Sequence, residues 1–139
     1  MGVFDLLRAG RSNGIKDSYR RIVVRCKGRR FRLDIADTFA KTAKGLMGRS
    51  SLPARGGMLF EFDSEGRHGF WMLGMKISID IIWLDRRKRV VHIWHDAQPC
   101  TSILSCRTVK PERDALYVIE LKAGTSERLG IRAGSRFEW

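Results

Sequence analysis

Apolar and polar residues alternate with period two from Arg20 to Ile35, first in RIVVRC and then in RRFRLDI, with only Lys27 and Gly28 between the two runs. Alternation sends one set of side chains to a core and the other to water, and a glycine in a two-residue turn supplies positive φ, so the pattern predicts a β-hairpin. The spacing then lengthens. Phe39, Ala43, Leu46 and Met47 recur at helical intervals, with Asp37 ahead of them as N-cap and Gly48 behind them as terminator, which predicts one short amphipathic helix. After Pro53 and the Gly56-Gly57 pair, GMLFEF, HGFWML and ISIDIIWL give three candidate strands parted by DSEG and Gly74, and DRRKR turns the chain into RVVHIW. Asp96 to Asp114 has no period and holds Pro99, Cys100, Cys106 and Pro111, as a long functional or mobile loop would. ALYVIEL reads as a strand, GTSERLG as a helix of one or two turns capped by Thr125 and ended by Gly130, and SRFEW as a last short strand. About eight strands and two helices predict an α+β domain, mainly β: a curled antiparallel-rich sheet or partly open barrel with two short helices.

The 139 residues suit one domain with a real core. Residues 1–18, in which Val3, Phe4, Leu6 and Leu7 precede RAGRSNG, read as a flexible basic arm, and 19–139 as a single β-rich globular domain. No apolar run approaches the ~18 residues of a membrane span, so a soluble chain without a transmembrane segment is expected.

Charge changes the picture more than composition does. The formal net charge is +12, and residues 1–32 hold ten Lys or Arg against Asp5 and Asp17, a balance of +8, leaving +4 for the remainder. Such a basic N-terminal region is either a solvated, solubilising face or a surface that attracts nucleic acid, an acidic partner or an anionic membrane. Arg25, Arg29, Arg30 and Arg32 have only Phe31 among them, little of the aromatic interleaving that RNA and single-strand binders use. Met1 to Leu7 lacks the basic start, apolar run and small-residue cleavage site of a secretory signal, which predicts a cytoplasmic protein. Free thiols are then the expectation for Cys26, Cys100 and Cys106, an odd count in a chain large enough to fold without staples.

The runs DTFAKTAKGLMGRSSLP, GGMLFEF, HGFWMLGMKISIDIIWLD and YVIELKAGTSERLGIRAGS, in that order, resemble domain-of-unknown-function family 192, a group of small prokaryotic domains, over about Arg20 to Trp139. The resemblance implies a compact β-rich domain with few helices and supplies no activity. The family's recurrent positions fall on Gly45, Leu46, Met47, Arg49, Met58, Phe60, Phe70, Trp71, Met72, Ile79, Asp80, Glu120 and Gly124. Gly74 and Met75 stand where many relatives have Asn and Thr, and Gly134 and Ser135 replace the usual Gly-Asp. Many relatives begin with a secretion or lipoprotein signal that the opening of this sequence does not show.

Two acids lie inside otherwise apolar strand sequence: Asp80 in ISIDIIW and Glu120 in YVIELK. Burying an unpaired carboxylate is expensive, so each needs water, a partner or a proton. In a strand Asp80 faces away from Trp83. Converging on a pocket, the two would form an acid and base pair or bind a cation; otherwise they accept loop N–H groups or pair with Arg49. A pocket near Met47, Arg49, Met58, Phe70, Trp71, Met72, Asp80 and Glu120 predicts a small-molecule or protein partner. Its methionines and aromatics, with His68 and Met75, would form core, an apolar site or a soft-metal site. His68 itself is expected to be exposed. His92, His95, Cys100 and Cys106 put four soft ligands in fifteen residues, but strand geometry sends the two histidines to opposite faces and the cysteines are too widely spaced for the usual zinc knuckle. A disulfide or redox pair between Cys100 and Cys106 is the other reading. No Walker loop, GxGxxG, GxSxG or HExxH is present, so no cofactor is named and nucleotide hydrolysis, Rossmann cofactors, serine hydrolysis and zincin proteolysis lack support. Three functions follow: a binding or accessory domain, a carboxylate- or metal-dependent enzyme using Asp80 and Glu120, or a nucleic-acid contact through the basic N-terminal region.

Overall fold

A computed structural model describes residues 18–139. The basic arm therefore lies outside the described residues except for Ser18. The predicted hairpin forms as β1 (Arg21–Cys26) paired antiparallel with β2 (Arg29–Ala36). Both turn residues take positive φ, 52° at Lys27 and 71° at Gly28, the twist that matches two right-handed strands.

Helix α1 (Phe39–Lys44) is shorter than its periodicity suggests. Thr38 caps it, its hydroxyl accepting from Lys41 N at 3.1 Å, while the expected cap Asp37 is held by Arg20 at 3.0 Å and Lys41 at 3.4 Å. Gly45, at φ 52° and ψ −134°, ends the helix three residues before Gly48 and puts Leu46 and Met47 in the turns beyond. The connection carrying α1 brings β3 (Gly56–Gly66) back parallel to β2, as a crossover must.

β4 (Ile79–Leu84), β5 (Val90–Ala97) and β6 (Ala115–Lys122) complete one sheet in the order β1-β2-β3-β6-β4-β5, and α2 (Thr125–Leu129) follows. All pairings but β2 with β3 are antiparallel. The α+β, mainly β class and the two short helices hold; the sheet is mixed and does not close into a barrel. Among the described residues six strands replace the expected eight. HGFWML makes only the bridges Phe70 to Val109 and Leu73 to Cys100, because its neighbour is the irregular segment around the two cysteines. SRFEW makes only Arg136 to Arg89 and Glu138 to Arg25, since it crosses from the start of β5 to the outer edge of β1.

Core lies on both faces of the sheet. Val24, Phe31, Leu33, Ile82, Leu84, Ile119 and Phe137 fill one side, and Met58, Phe60, Met72, Ile79, Ile81, Trp83 and Val118 the other. A strand covered on both faces reads as a continuous apolar run, which is why IDIIWL is buried at every position. Where β3 meets β6 the backbones are very close: a Cβ on Gly57 would stand 2.1 Å from the carbonyl oxygen of Glu120. Only glycine fits there.

Candidate functional site

Asp80 and Glu120 do not converge. In the β4–β6 ladder Ile81 is opposite Glu120 and Asp80 is opposite Leu121, so the two carboxyl groups project from opposite faces of the sheet.

Asp80, fully buried, is consumed by architecture. Its Oδ1 accepts from the backbone N–H of Asp96 at 2.9 Å and of Gly124 at 3.2 Å; its Oδ2 accepts from Ser126 N at 2.9 Å and Ser126 Oγ at 2.6 Å. A carboxylate offers about four acceptor positions, and here each has a donor. The single hydroxyl proton of Ser126 goes to Asp80, so at 3.0 Å His95 Nδ1 is the donor to Ser126 Oγ. The carboxylate thus does for α2 what the sequence assigns to Thr125, whose own hydroxyl oxygen is buried without a partner. The expected acceptance of loop N–H groups is met at Asp80.

Glu120 is the opposite case. Its residue is 5% exposed, and Oε2 is buried with no hydrogen-bond partner. Burial pushes the carboxyl up to about 8, with the Arg49 charge pulling the other way. Arg49 is not its ion-pair partner: the guanidinium holds Asp34 at 2.9 Å, and Asp34 also takes Arg21 at 3.0 Å. A Cβ on Gly45 would lie 3.7 Å from Glu120 Oε2 and 3.4 Å from the tip of the Phe60 ring, so the end of the helix packs closely against both.

Glu120 is one of the residues that line a cavity of about 530 Å³. Residues 42–47 form one wall, Phe60 and Phe62 of β3 the floor, His68 to Trp71 with Leu73 and Met75 a second wall, and Ile103, Thr108 and Lys110 the rim. Phe70 fixes the aromatic part, meeting Phe60, Phe62 and Trp83 edge-on at 5.2, 6.3 and 5.8 Å between ring centres. His68, expected to be exposed, is half-buried: its ring stacks on Phe62 at 3.7 Å and Nε2 lies 2.9 Å from the carbonyl of Ser64.

Of the eight sequence-predicted binding residues, Met47, Phe70, Trp71 and Glu120 line this cavity. Met58 and Met72 are buried in the core, Arg49 is engaged with Asp34, and Asp80 is on the other face. Sequence reasoning missed Gly45, Phe60 and Phe62 as lining, while His68 and Met75, read as members of an apolar or soft-metal site, do line it. The alternation of Met58, Phe60 and Phe62 in β3 was the available signal, because Met58 is opposite Glu120 in the β3–β6 ladder and shares its face.

The expected free thiols are corrected at two of three positions. Cys100 and Cys106 form a disulfide, with Cα atoms 5.6 Å apart, whereas Cys26 keeps a buried thiol that burial pushes up to about 11. His92 packs against Trp83 and His95 bonds Ser126, so the four soft ligands are dispersed. Among the described residues no three His, Cys, Asp or Glu side chains gather as a metal site would need, and no helix is long and apolar enough to cross a membrane. A second cavity, of about 490 Å³, lies behind the disulfide, bordered by Met72, Trp94, His95 and Arg107.

The sequence profile of family DUF192, described as Uncharacterized ACR, matches residues 22–139. A UPF0127 protein of Pyrococcus abyssi is 35% identical over 113 residues, covering 78% of this chain and 86% of that one. Another, of Pyrococcus furiosus, is 32% identical over 120 residues, covering 81% and 92%. Among solved structures, one from Sinorhizobium meliloti described as a candidate transcription regulator superposes with a TM-score of 0.81 at 28% identity, covering 88% of this chain and 96% of that one. A protein of unknown function from Novosphingobium aromaticivorans superposes with a TM-score of 0.79 at 32% identity, covering 86% and 85%.

Proposed function

Because the chain belongs to family DUF192, whose description assigns no reaction, we propose its function from the pocket itself: a domain that binds a small, largely apolar molecule whose inner end hydrogen-bonds to Glu120. The observation that carries the reading is the partnerless, buried Oε2 of a residue that lines a cavity walled by aromatic and methionine side chains. Burying a polar atom unpaired costs roughly 1–3 kcal/mol, and a bound molecule would recover it. Pockets of this size with one convergent polar group are ordinary small-molecule sites. Near neutral pH the carboxyl holds a proton, so it presents both a donor and an acceptor and suits an amide, a carbonyl or an alcohol better than an ammonium ion.

Protein-observed NMR with benzamide, benzyl alcohol and benzylamine as probes tests this. The reading expects shifts at Gly45, Phe70 and Trp71 with the two neutral probes, kept in Glu120→Gln and lost in Glu120→Leu. Shifts scattered away from these residues, or the same response in Glu120→Leu, would sink it. A second reading, with Glu120 as a general acid in an enzyme, draws on the same retained proton. It no longer has Asp80 as the companion carboxylate.

For location we keep the cytoplasm as a proposal. The Cys100–Cys106 bond weighs against it, since lasting disulfides belong to oxidising compartments. Alkylation of thiols in intact cells decides: modification of both cysteines supports the cytoplasm, and protection of both refutes it.

A further inference from the structure

Independently of the pocket, we infer that this chain carries a binding surface for the phosphate backbone of duplex nucleic acid, formed by the outer side of the β1–β2 hairpin together with the C-terminal segment. The bridges Arg25 to Arg30 and Arg89 to Arg136 each set two arginines directly opposite one another, and Arg25 also bridges Glu138. The C-terminal segment thereby joins two like-charge pairs from distant parts of the sequence into one band. Their side chains point the same way. Val24, Phe31, Val90 and Phe137, the chain neighbours of Arg25, Arg30, Arg89 and Arg136, all enter one core, so the arginines that alternate with them face outward together. Arg32, two residues beyond Arg30 in β2, extends the band.

All five arginines are exposed, and none forms an ion pair with a described residue. Glu138 interrupts them, and Asp34, two residues beyond Arg32 on the same face of β2, closes one end of the band, where Arg21 and Arg49 already hold it. Like charges directly opposite in a sheet are destabilising, and a merely solubilising surface is served by mixed signs, so two such pairs on one face call for a polyanion that neutralises them. Arginine rather than lysine throughout suits planar, bidentate contact with phosphate oxygens. The partner's class follows from what the face lacks. Its one aromatic neighbour among the described residues, Trp139, packs half-buried against the core beneath Lys88 and offers no free ring on which unstacked bases would lie, and Val23 is its exposed large apolar residue, too little to anchor in lipid. A regular duplex backbone, read without base contacts, fits best.

Fluorescence polarisation of a labelled mixed-sequence DNA duplex of about 20 base pairs, titrated with the full chain from about 50 to 200 mM salt, tests the inference. Replacing Arg25, Arg30, Arg89 and Arg136 by Gln should weaken binding at least about tenfold at low salt and make the log–log salt slope shallower by roughly 3. Replacing Arg8, Arg11 and Lys16 by Gln should leave most of the slope in place. Absence of duplex binding by the unaltered chain at low salt overturns the inference, as does a loss confined to the arm variant. So does loss in the four-site variant of binding to phosphatidylserine vesicles without duplex binding, which would make the surface a membrane contact. Thermal melting guards the reading: relief of two repulsive pairs should leave Tm equal or higher. Were the four-site chain unfolded, Arg25→Gln/Arg30→Gln and Arg89→Gln/Arg136→Gln carry the same comparison at half the change in slope.

Discussion

Glu120 and Asp80 stand on adjacent strands and are both buried, yet one has four donors and the other an oxygen with none. The difference has a pH signature. The Glu120 carboxyl moves from the ordinary 4.5 to about 8 in the folded chain, so the folded state keeps a proton that the unfolded state releases. Stability from that proton is fully present below pH 4.5 and is lost as pH rises to about 8. Across the window the loss is on the order of 4 kcal/mol. Urea unfolding of the native chain and of Glu120→Gln, compared at about pH 5 and pH 8.5, isolates the contribution, because the other titrating groups are common to both. The native chain should lose stability relative to the variant over this range. Parallel pH profiles would mean that Glu120 titrates normally and that water or a donor reaches it in solution.

At the scale of elements, a long-range carboxylate organises the end of the fold. Helix α2 has five residues, too few to persist without help, and its first N–H groups end on Asp80 across the sheet. Asp80→Ala would strand the N–H groups of Asp96, Gly124 and Ser126 and should destabilise by about 3–5 kcal/mol, with Asp80→Asn intermediate. Chemical denaturation measures it, and an unchanged midpoint for the alanine variant would show that these hydrogen bonds are replaced by water without penalty. The hairpin was legible because alternation and a Lys-Gly turn are local signals. The helix was legible in kind but not in length, because Gly45 rather than Gly48 takes the backbone that ends it. HGFWML was not legible as an irregular wall: its composition is that of a strand, but its hydrogen bonds go to Cys100 and Val109, in a segment with no pattern of its own. For the site, ISIDIIW and YVIELK correctly announced acids that need an explanation. Which of them was satisfied depended on pairing Asp80 with Leu121 rather than Glu120, a register that neither strand contains by itself.

For the whole molecule, the consequence of a sheet with core on both faces is mechanical. β4 and β6 lie inside the sheet, each between two strands, and contribute side chains to both cores, so neither core can open without breaking ladders that the other needs. The wall of the pocket is attached differently. Residues 68–75 and 98–109 hold to each other by isolated bridges, and the disulfide closes a loop whose tip carries Leu104 at 98% exposure. Hydrogen exchange under native conditions should therefore divide the chain in two. Amides of Ile82, Trp83, Val118 and Ile119 should exchange only by global unfolding, and those of Phe70, Gly74 and Cys100 by local opening, at least a hundredfold faster. Reduction of the Cys100–Cys106 bond should speed the second group and leave the first unchanged, because the loop it closes is not part of the sheet. A pocket whose floor belongs to the rigid sheet and whose outer wall opens locally can admit a molecule to Glu120 without loosening the strand that presents it. Uniform exchange across both groups would remove that route and leave the cavity as a packing fault in a single rigid body.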